Sequence, residues 1–124
     1  MAELVEYLGL DDLIGLTRRL GAGPVRDPGL LGAAAARPAT QLGGEDVYPS
    51  LALKAAALLH GLLSAGALVA GNARLAWLAT TVFMDLNGRR LSVSDEAART
   101  LIERAGHDPV DLVAIAAVLE SSSH

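Results

Sequence analysis

The chain has 124 residues, enough for one domain (1–124) and too few for two, and a formal net charge of −4 gives no general electrostatic reason to bind nucleic acid. Hydrophobic residues make up 52% but aromatic ones only 3%, so Ala and Leu must fill the core, which favours closely packed helices over a sheet and predicts an all-α fold. Cysteine is absent, which excludes disulfides, thiolate metal sites and cysteine nucleophiles.

The first residues, MAELVEYLGLDD, carry acids where a signal peptide would carry bases, so a cytoplasmic protein is expected. The uncharged stretch from Ala55 to Ala73 is long enough to span a bilayer. His60, Gly61, Gly66, Gly71 and Asn72 interrupt it, and its Gly-Ala surface suits tight packing in a bundle, so no membrane span is expected.

In chain order, Asp11 or Asp12 is placed to cap a first helix through about Leu20, with Gly21, Gly23 and Pro24 as the stop. Asp27-Pro28 reads as an N-cap followed by a first-turn proline, opening a second helix that Arg37-Pro38 ends. A loop from Ala39 to Pro49, containing Gly43-Gly44-Glu45-Asp46, is long enough to serve as a flap. Ser50 caps a third, central helix through Leu63 that is apolar on nearly every face.

Glycines break the pattern between Ser64 and Gly71, and Asn72 is placed to cap a fourth helix, Ala73 to about Leu86, which Asn87-Gly88 ends. Asp85 is expected to be solvated or paired with Arg89. A fifth helix starts at Ser94 and runs to Ala105-Gly106; a sixth begins near Asp108-Pro109 with Leu112, Val113, Ile115, Ala116 and Leu119 on one stripe. The architecture predicted is a compact bundle of about six helices around two central ones. Trp77 and Phe83 read most simply as core and His107 as surface.

The turn from the third helix into the fourth carries the most information. A helix N-terminus offers unpaired N–H groups and a partial positive charge, so Gly71 and Asn72 can seat a phosphate, and Arg74 in the first turn can add a bidentate donor. The plainer alternative is that Gly71 makes the turn, Asn72 caps and Arg74 forms a salt bridge.

The runs Tyr48-Pro49-Ser50, Lys54-Ala55-Ala56-Ala57-Leu58-Leu59-His60, Gly71-Asn72-Ala73-Arg74-Leu75-Ala76-Trp77-Leu78-Ala79 and Leu86-Asn87-Gly88 resemble the death-on-curing toxins of the Fic/Doc family. Arg26-Asp27-Pro28-Gly29-Leu30-Leu31 and Ala36-Arg37-Pro38 fit the same family, so the resemblance spans most of the chain. It implies a loop motif of the form H-x-[F/L]-x-[D/N]-[G/A]-N-K-R between two central helices. It further implies a histidine base, an acid that helps hold Mg2+, and Asn, Lys and Arg on the phosphates of ATP. The toxin branch of the family phosphorylates a threonine of elongation factor Tu and is restrained by an antitoxin whose tail folds onto it.

On that motif Gly66 stands in place of the histidine, Ala70 in place of the acid and Ala73 in place of the lysine, while Leu68, Gly71, Asn72 and Arg74 fit. Glycine cannot act as a base, and alanine holds neither a metal ion nor a phosphate, so the usual chemistry is expected to be lost or strongly weakened, with no metal site and no cofactor required as the chain stands. Gly32 also sits where relatives often have a glutamate, and Ser64-Ala65 where they have a polar pair.

Three functions follow as expectations. The first is an inactivated or weakened toxin of this family. The second is a non-catalytic partner of an antitoxin peptide or other helix, docked in a groove beside Gly61 to Gly71. The third is a repurposed enzyme acting on a small molecule, with a pocket drawn from His60, Leu68, Glu45, Asp46 and Arg74. His60 also reads as a hydrogen-bonded core residue of an apolar helix.

Overall fold

The computed structural model describes residues 4–124; residues 1–3, part of the stretch read for a leader, lie outside the described residues. Among the described residues the order is α1 (Leu10–Leu20), α2 (Pro28–Ala36), a 3-10 turn (Arg37–Ala39), β1 (Gln41–Leu42), β2 (Glu45–Asp46), α3 (Leu51–Ala65), α4 (Asn72–Leu86), α5 (Asp95–Ala105) and α6 (Leu112–Ser121). The fold is an all-α bundle of six helices with one minimal hairpin.

Three of the six helix starts among the described residues are set by the expected side chains. Asp27 Oδ1 accepts from the Leu30 N–H at 3.1 Å, Ser50 Oγ from Leu53 N–H at 3.1 Å and Ser94 Oγ from Ala97 N–H at 3.1 Å. The starts of α1, α4 and α6 differ from expectation. Helix α1 begins at Leu10, earlier than a cap at Asp11 or Asp12 would set, so Gly9 occupies the cap position and Asp12 reaches back from the third helical position to accept from the Gly9 N–H at 2.8 Å. Helix α6 begins at Leu112 rather than near Asp108, because Asp111 supplies the cap, accepting from Ala114 N–H at 3.0 Å.

Helix α3 lies at the centre. Ala55, Ala56, Ala57, Leu58 and Leu59 are all buried, and side chains that are small or free of β-branching let α2, the 3-10 turn, α4, α5 and α6 pack on its successive faces. Each fully buried Leu contributes about 1.5–3 kcal/mol. Helix α4 buries Leu75, Ala76, Ala79, Thr80, Phe83 and Met84, and the Thr80 hydroxyl is satisfied by donating to Ala76 O at 2.7 Å. On α6 the stripe is narrower than expected: Ile115, Ala116 and Leu119 are buried, while Val113 is turned to solvent.

The expected open flap is instead partly a hairpin. Gly43 and Gly44 take φ of +59° and +82°, the left-handed pair that a two-residue hairpin turn requires, and set Gln41 opposite Asp46 and Leu42 opposite Glu45. The uncharged Ala55–Ala73 stretch is divided between the end of α3, a loop and the start of α4. No helix of the described residues is long and apolar enough to cross a membrane.

After α4, Asp85 meets Arg90 at 4.0 Å rather than Arg89. Arg89 turns instead to the C-terminal segment, donating to Ser123 Oγ at 2.7 Å and lying 3.6 Å from Glu120.

Candidate functional site

The α3–α4 loop is laced to the segment between α1 and α2. Helix α3 ends at Gly66 in the left-handed region, φ +53°, and the guanidinium of Arg26 donates to the Gly66 carbonyl. The chain then runs extended beside residues 22–27: Arg26 N–H donates to Ala67 O at 2.7 Å, Val69 N–H to Pro24 O at 3.0 Å and Gly23 N–H to Ala70 O at 2.9 Å, with Val25 opposite Leu68. Residues 22–27 read from sequence as a helix stop, a cap and part of the family resemblance; they are also the scaffold of the loop. Arg26 is a site residue that the sequence reading missed, since no local spacing ties it to a backbone carbonyl forty residues on.

Asn72 is not the N-cap. Gly71, at φ +90°, takes that position with no side-chain bond, and Asn72 is the first residue of α4. Its amide clamps the buried Leu68 from both sides, accepting from the Leu68 N–H at 3.0 Å and donating to Leu68 O at 3.0 Å. The reason is steric: a Cβ on Gly71 would lie 2.6 Å from Ala22 Cβ, so the turn must be glycine and the amide falls one residue inside the helix. The first turn of α4 therefore has no side-chain cap.

Arg74 is exposed and donates a long, 3.4 Å hydrogen bond to Leu20 O. Among the described residues it meets no carboxylate, so the simple salt bridge is not its role. Gly66 closes α3, Ala70 is exposed in the loop and Ala73 is exposed in the first turn of α4. The three small residues thus lie along one turn, two of them open to solvent.

The remaining candidates do not join this loop. Glu45 and Asp46 are on the hairpin. Asp46 accepts from Gln41 Nε2 at 3.0 Å and from Lys54 Nζ at 3.1 Å; these two bonds, in that order, hold its carboxyl below the ordinary value of 3.8. Lys54 is buried in α3, also donates to Tyr48 O at 2.6 Å, and lies 5.9 Å from the Tyr7 ring centre. Asp46 and Lys54 fasten the hairpin to the central helix.

His60 sits farther along α3, half-buried, in a cluster the sequence did not reveal. Its Nδ1 lies 2.6 Å from Arg37 Nη1, and its Nε2 lies 3.1 Å from Ser64 Oγ and 3.6 Å from Asp108 Oδ1. Arg37 also donates to the Tyr48 hydroxyl at 3.0 Å. A guanidinium has donors only, so Nδ1 must accept and the ring proton must sit on Nε2. A Ser-His-Asp grouping with the proton on that nitrogen cannot take one from Ser64, so it is no hydrolase triad. His60 is hydrogen-bonded, as the plainer expectation has it, but half-buried at the edge of α3 and not in the core.

The face expected to carry a groove beside Gly61 to Gly71 is covered at its start. Gly61 is buried against Arg37 and the Ala34 backbone, because α2 and the 3-10 turn cover that face of α3. An apolar groove of about 450 Å3 instead runs along α4, lined by Leu20, Ala73, Arg74, Trp77, Leu78 and Ile102. Trp77 is thus half core and half groove wall, unlike Phe83, which is fully buried.

Magnesium binding calls for carboxylate or other hard oxygens. The one side-chain oxygen between Gly66 and Arg74, Asn72 Oδ1, already accepts from Leu68, and no group of three or more His, Asp or Glu that could hold a metal ion comes together among the described residues. These residues do not fit a protein-bound magnesium at the loop. For phosphate oxygens the fit is better: the bare first turn of α4 and the Arg74 guanidinium are the donors that anion binding uses.

Two buried helices joined by a glycine-bounded loop, with an arginine in the first turn of the second, define a class of protein. The Fic/DOC family model matches residues 7–84, which include the hairpin, α3, the loop and most of α4, and the chain belongs to that family. It is similar, at 44% identity over 121 residues covering 94% of this chain and 92% of the relative, to the toxin Doc of Mycolicibacterium smegmatis.

Proposed function

We propose that the chain is the toxin-type member of a toxin–antitoxin pair, a death-on-curing protein in which group transfer from ATP to a protein hydroxyl is abolished or strongly weakened. The observation that carries this reading is the composition of one turn: Leu68, Gly71, Asn72 and Arg74 remain, while Gly66, Ala70 and Ala73 stand in place of base, acid and lysine. Loss of a general base alone commonly costs about 10²- to 10⁴-fold in rate. When bound, ATP with Mg2+ would supply the transferable phosphoryl or adenylyl group. The chain's own contribution is limited to holding phosphates with the α4 N–H groups and Arg74. His60 offers no replacement base, since its Nδ1 is engaged by Arg37 and its Nε2 carries the proton.

The test is incubation with ATP, Mg2+ and elongation factor Tu, followed by intact-mass measurement of the factor. No gain of phosphate or AMP is expected at enzyme concentrations where an intact family member modifies all of it; efficient transfer overturns the reading.

A second reading is favoured by the groove on α4, whose apolar walls and single guanidinium suit a partner helix with an acidic flank. On that reading the protein binds its antitoxin and catalysis is no longer its purpose. Co-purification with the product of an adjacent gene supports it, and replacement of Trp77 by Ala should then weaken the complex. The third expectation, a small-molecule enzyme, has less support: none of His60, Glu45 and Asp46 lines the groove that holds Arg74.

A further inference from the structure

We infer that His60 is a proton-operated latch for the hairpin. The 3-10 turn, the hairpin and α3 are tied by one chain of contacts: Tyr48 hydroxyl, Arg37 guanidinium, His60 imidazole. Arg37 is the hub, lying also 5.6 Å from the Tyr48 ring centre.

The chain of contacts holds only while the imidazole is neutral. Arg37 Nη1 and His60 Nδ1 are 2.6 Å apart, which requires a lone pair on Nδ1. When the ring takes up a proton, both its nitrogens become donors, and an N–H of a cation then faces an N–H of a second cation at that distance. The contact must open. The charged groups that meet the ring from elements packed against α3 are Arg37, from the 3-10 turn, and Asp108, from the α5–α6 connection, with Ser64 the neutral partner on α3 itself. Asp108 Oδ1, 3.6 Å from Nε2 and mostly exposed, is free to close on the charged ring. Protonation therefore exchanges Arg37 for Asp108 as the partner of His60, and leaves Arg37, with the Tyr48 hydroxyl on its Nε, without that anchor on α3.

The hairpin feels the exchange because its base is built on the same turn. Thr40 N–H donates to Arg37 O at 3.1 Å, and Val47 N–H donates to Thr40 O at 3.0 Å. The other fastening, Asp46 to Lys54, does not respond in the range where histidines titrate, since the Asp46 carboxyl is held below the ordinary carboxylate range. The hairpin thus has one fastening that opens when the His60 ring takes up a proton and one that does not depend on it.

The experiment is amide hydrogen exchange by NMR on the full chain between pH 8 and pH 5.5, corrected for intrinsic rates, with 15N shifts of the His60 ring recorded alongside. The expected result is a severalfold loss of protection at Val47 and Thr40 that follows the His60 ring titration, while the α3 core amides of Leu58 and Leu59 keep theirs. In His60→Asn, whose amide oxygen can accept from Arg37 and does not titrate, the pH response should vanish. In Tyr48→Phe, which cuts the chain at its other end, protection should be low at both pH values. Equal protection at the two pH values in the unmodified protein, a parallel loss at Leu58 and Leu59, or a response that persists in His60→Asn each overturns the proposal; if His60→Asn does not fold, retention of the response in Tyr48→Phe does so.

Discussion

At Gly71 the backbone stands at φ +90° and an added Cβ would lie 2.6 Å from Ala22 Cβ, so two separate costs fall on any other residue. The backbone conformation alone costs a non-glycine residue about 1–3 kcal/mol, and the contact adds to it unless residues 22–27 shift. Gly71→Ala should therefore lower the urea midpoint with an unchanged slope, and Ala22→Gly in the same chain should recover the steric part only. Full recovery in the double variant would show that the conformation at 71 carries no cost. The sequence marked Gly71, Asn72 and Arg74 as the residues that matter here. It mistook the role of Asn72, because an amide is as good a clamp on Leu68 as a cap on α4, and only the proximity of Ala22 decides between them.

Among the elements, the helices were legible because their caps are local: Asp27, Ser50 and Ser94 each bond an N–H three residues on. The hairpin was not, since two-residue strands have no periodicity to read, though the Gly43-Gly44 turn was in plain view. Lys54 was the overlooked signal, a charged residue in an otherwise apolar stretch whose burial demands a carboxylate. Its partner Asp46 has a folded-state carboxyl below the ordinary 3.8, so the stabilisation it gives is complete above that value and is lost only as pH falls through the lowered one. A 13C titration of the Asp46 carboxyl should show the depression. It should be reduced both in Gln41→Ala, which removes the largest single cause, and in Lys54→Met, which removes a hydrogen bond and a charge. An ordinary value in the unmodified chain would remove Asp46 as a fastening of the hairpin.

Over the whole molecule, the bundle and its central helix follow from composition and caps, but the lacing of residues 22–27 to the loop does not. Those contacts join residues about forty positions apart through backbone groups, which no residue type announces. They decide what the loop can still become. Ala70 and Ala73 are exposed, so Asp and Lys side chains have room there. Gly66 is left-handed, a region histidine enters more readily than branched residues, and its added Cβ would lie 3.6 Å from the Arg26 guanidinium, an ordinary contact. The scaffold should therefore accept Gly66→His, Ala70→Asp and Ala73→Lys together, at a cost on the order of 1 kcal/mol for the residue at 66. Expression of this triple variant should arrest growth, and the purified protein should transfer phosphate or AMP to elongation factor Tu where the unmodified chain does not. Ala73→Lys alone should do neither, because the base is still missing. A triple variant that is soluble, has the same helix content and remains harmless would mean that the loop, held by Arg26 and residues 22–27, presents the restored side chains in the wrong place. The inactivity would then reside in the backbone as well as in the three small residues.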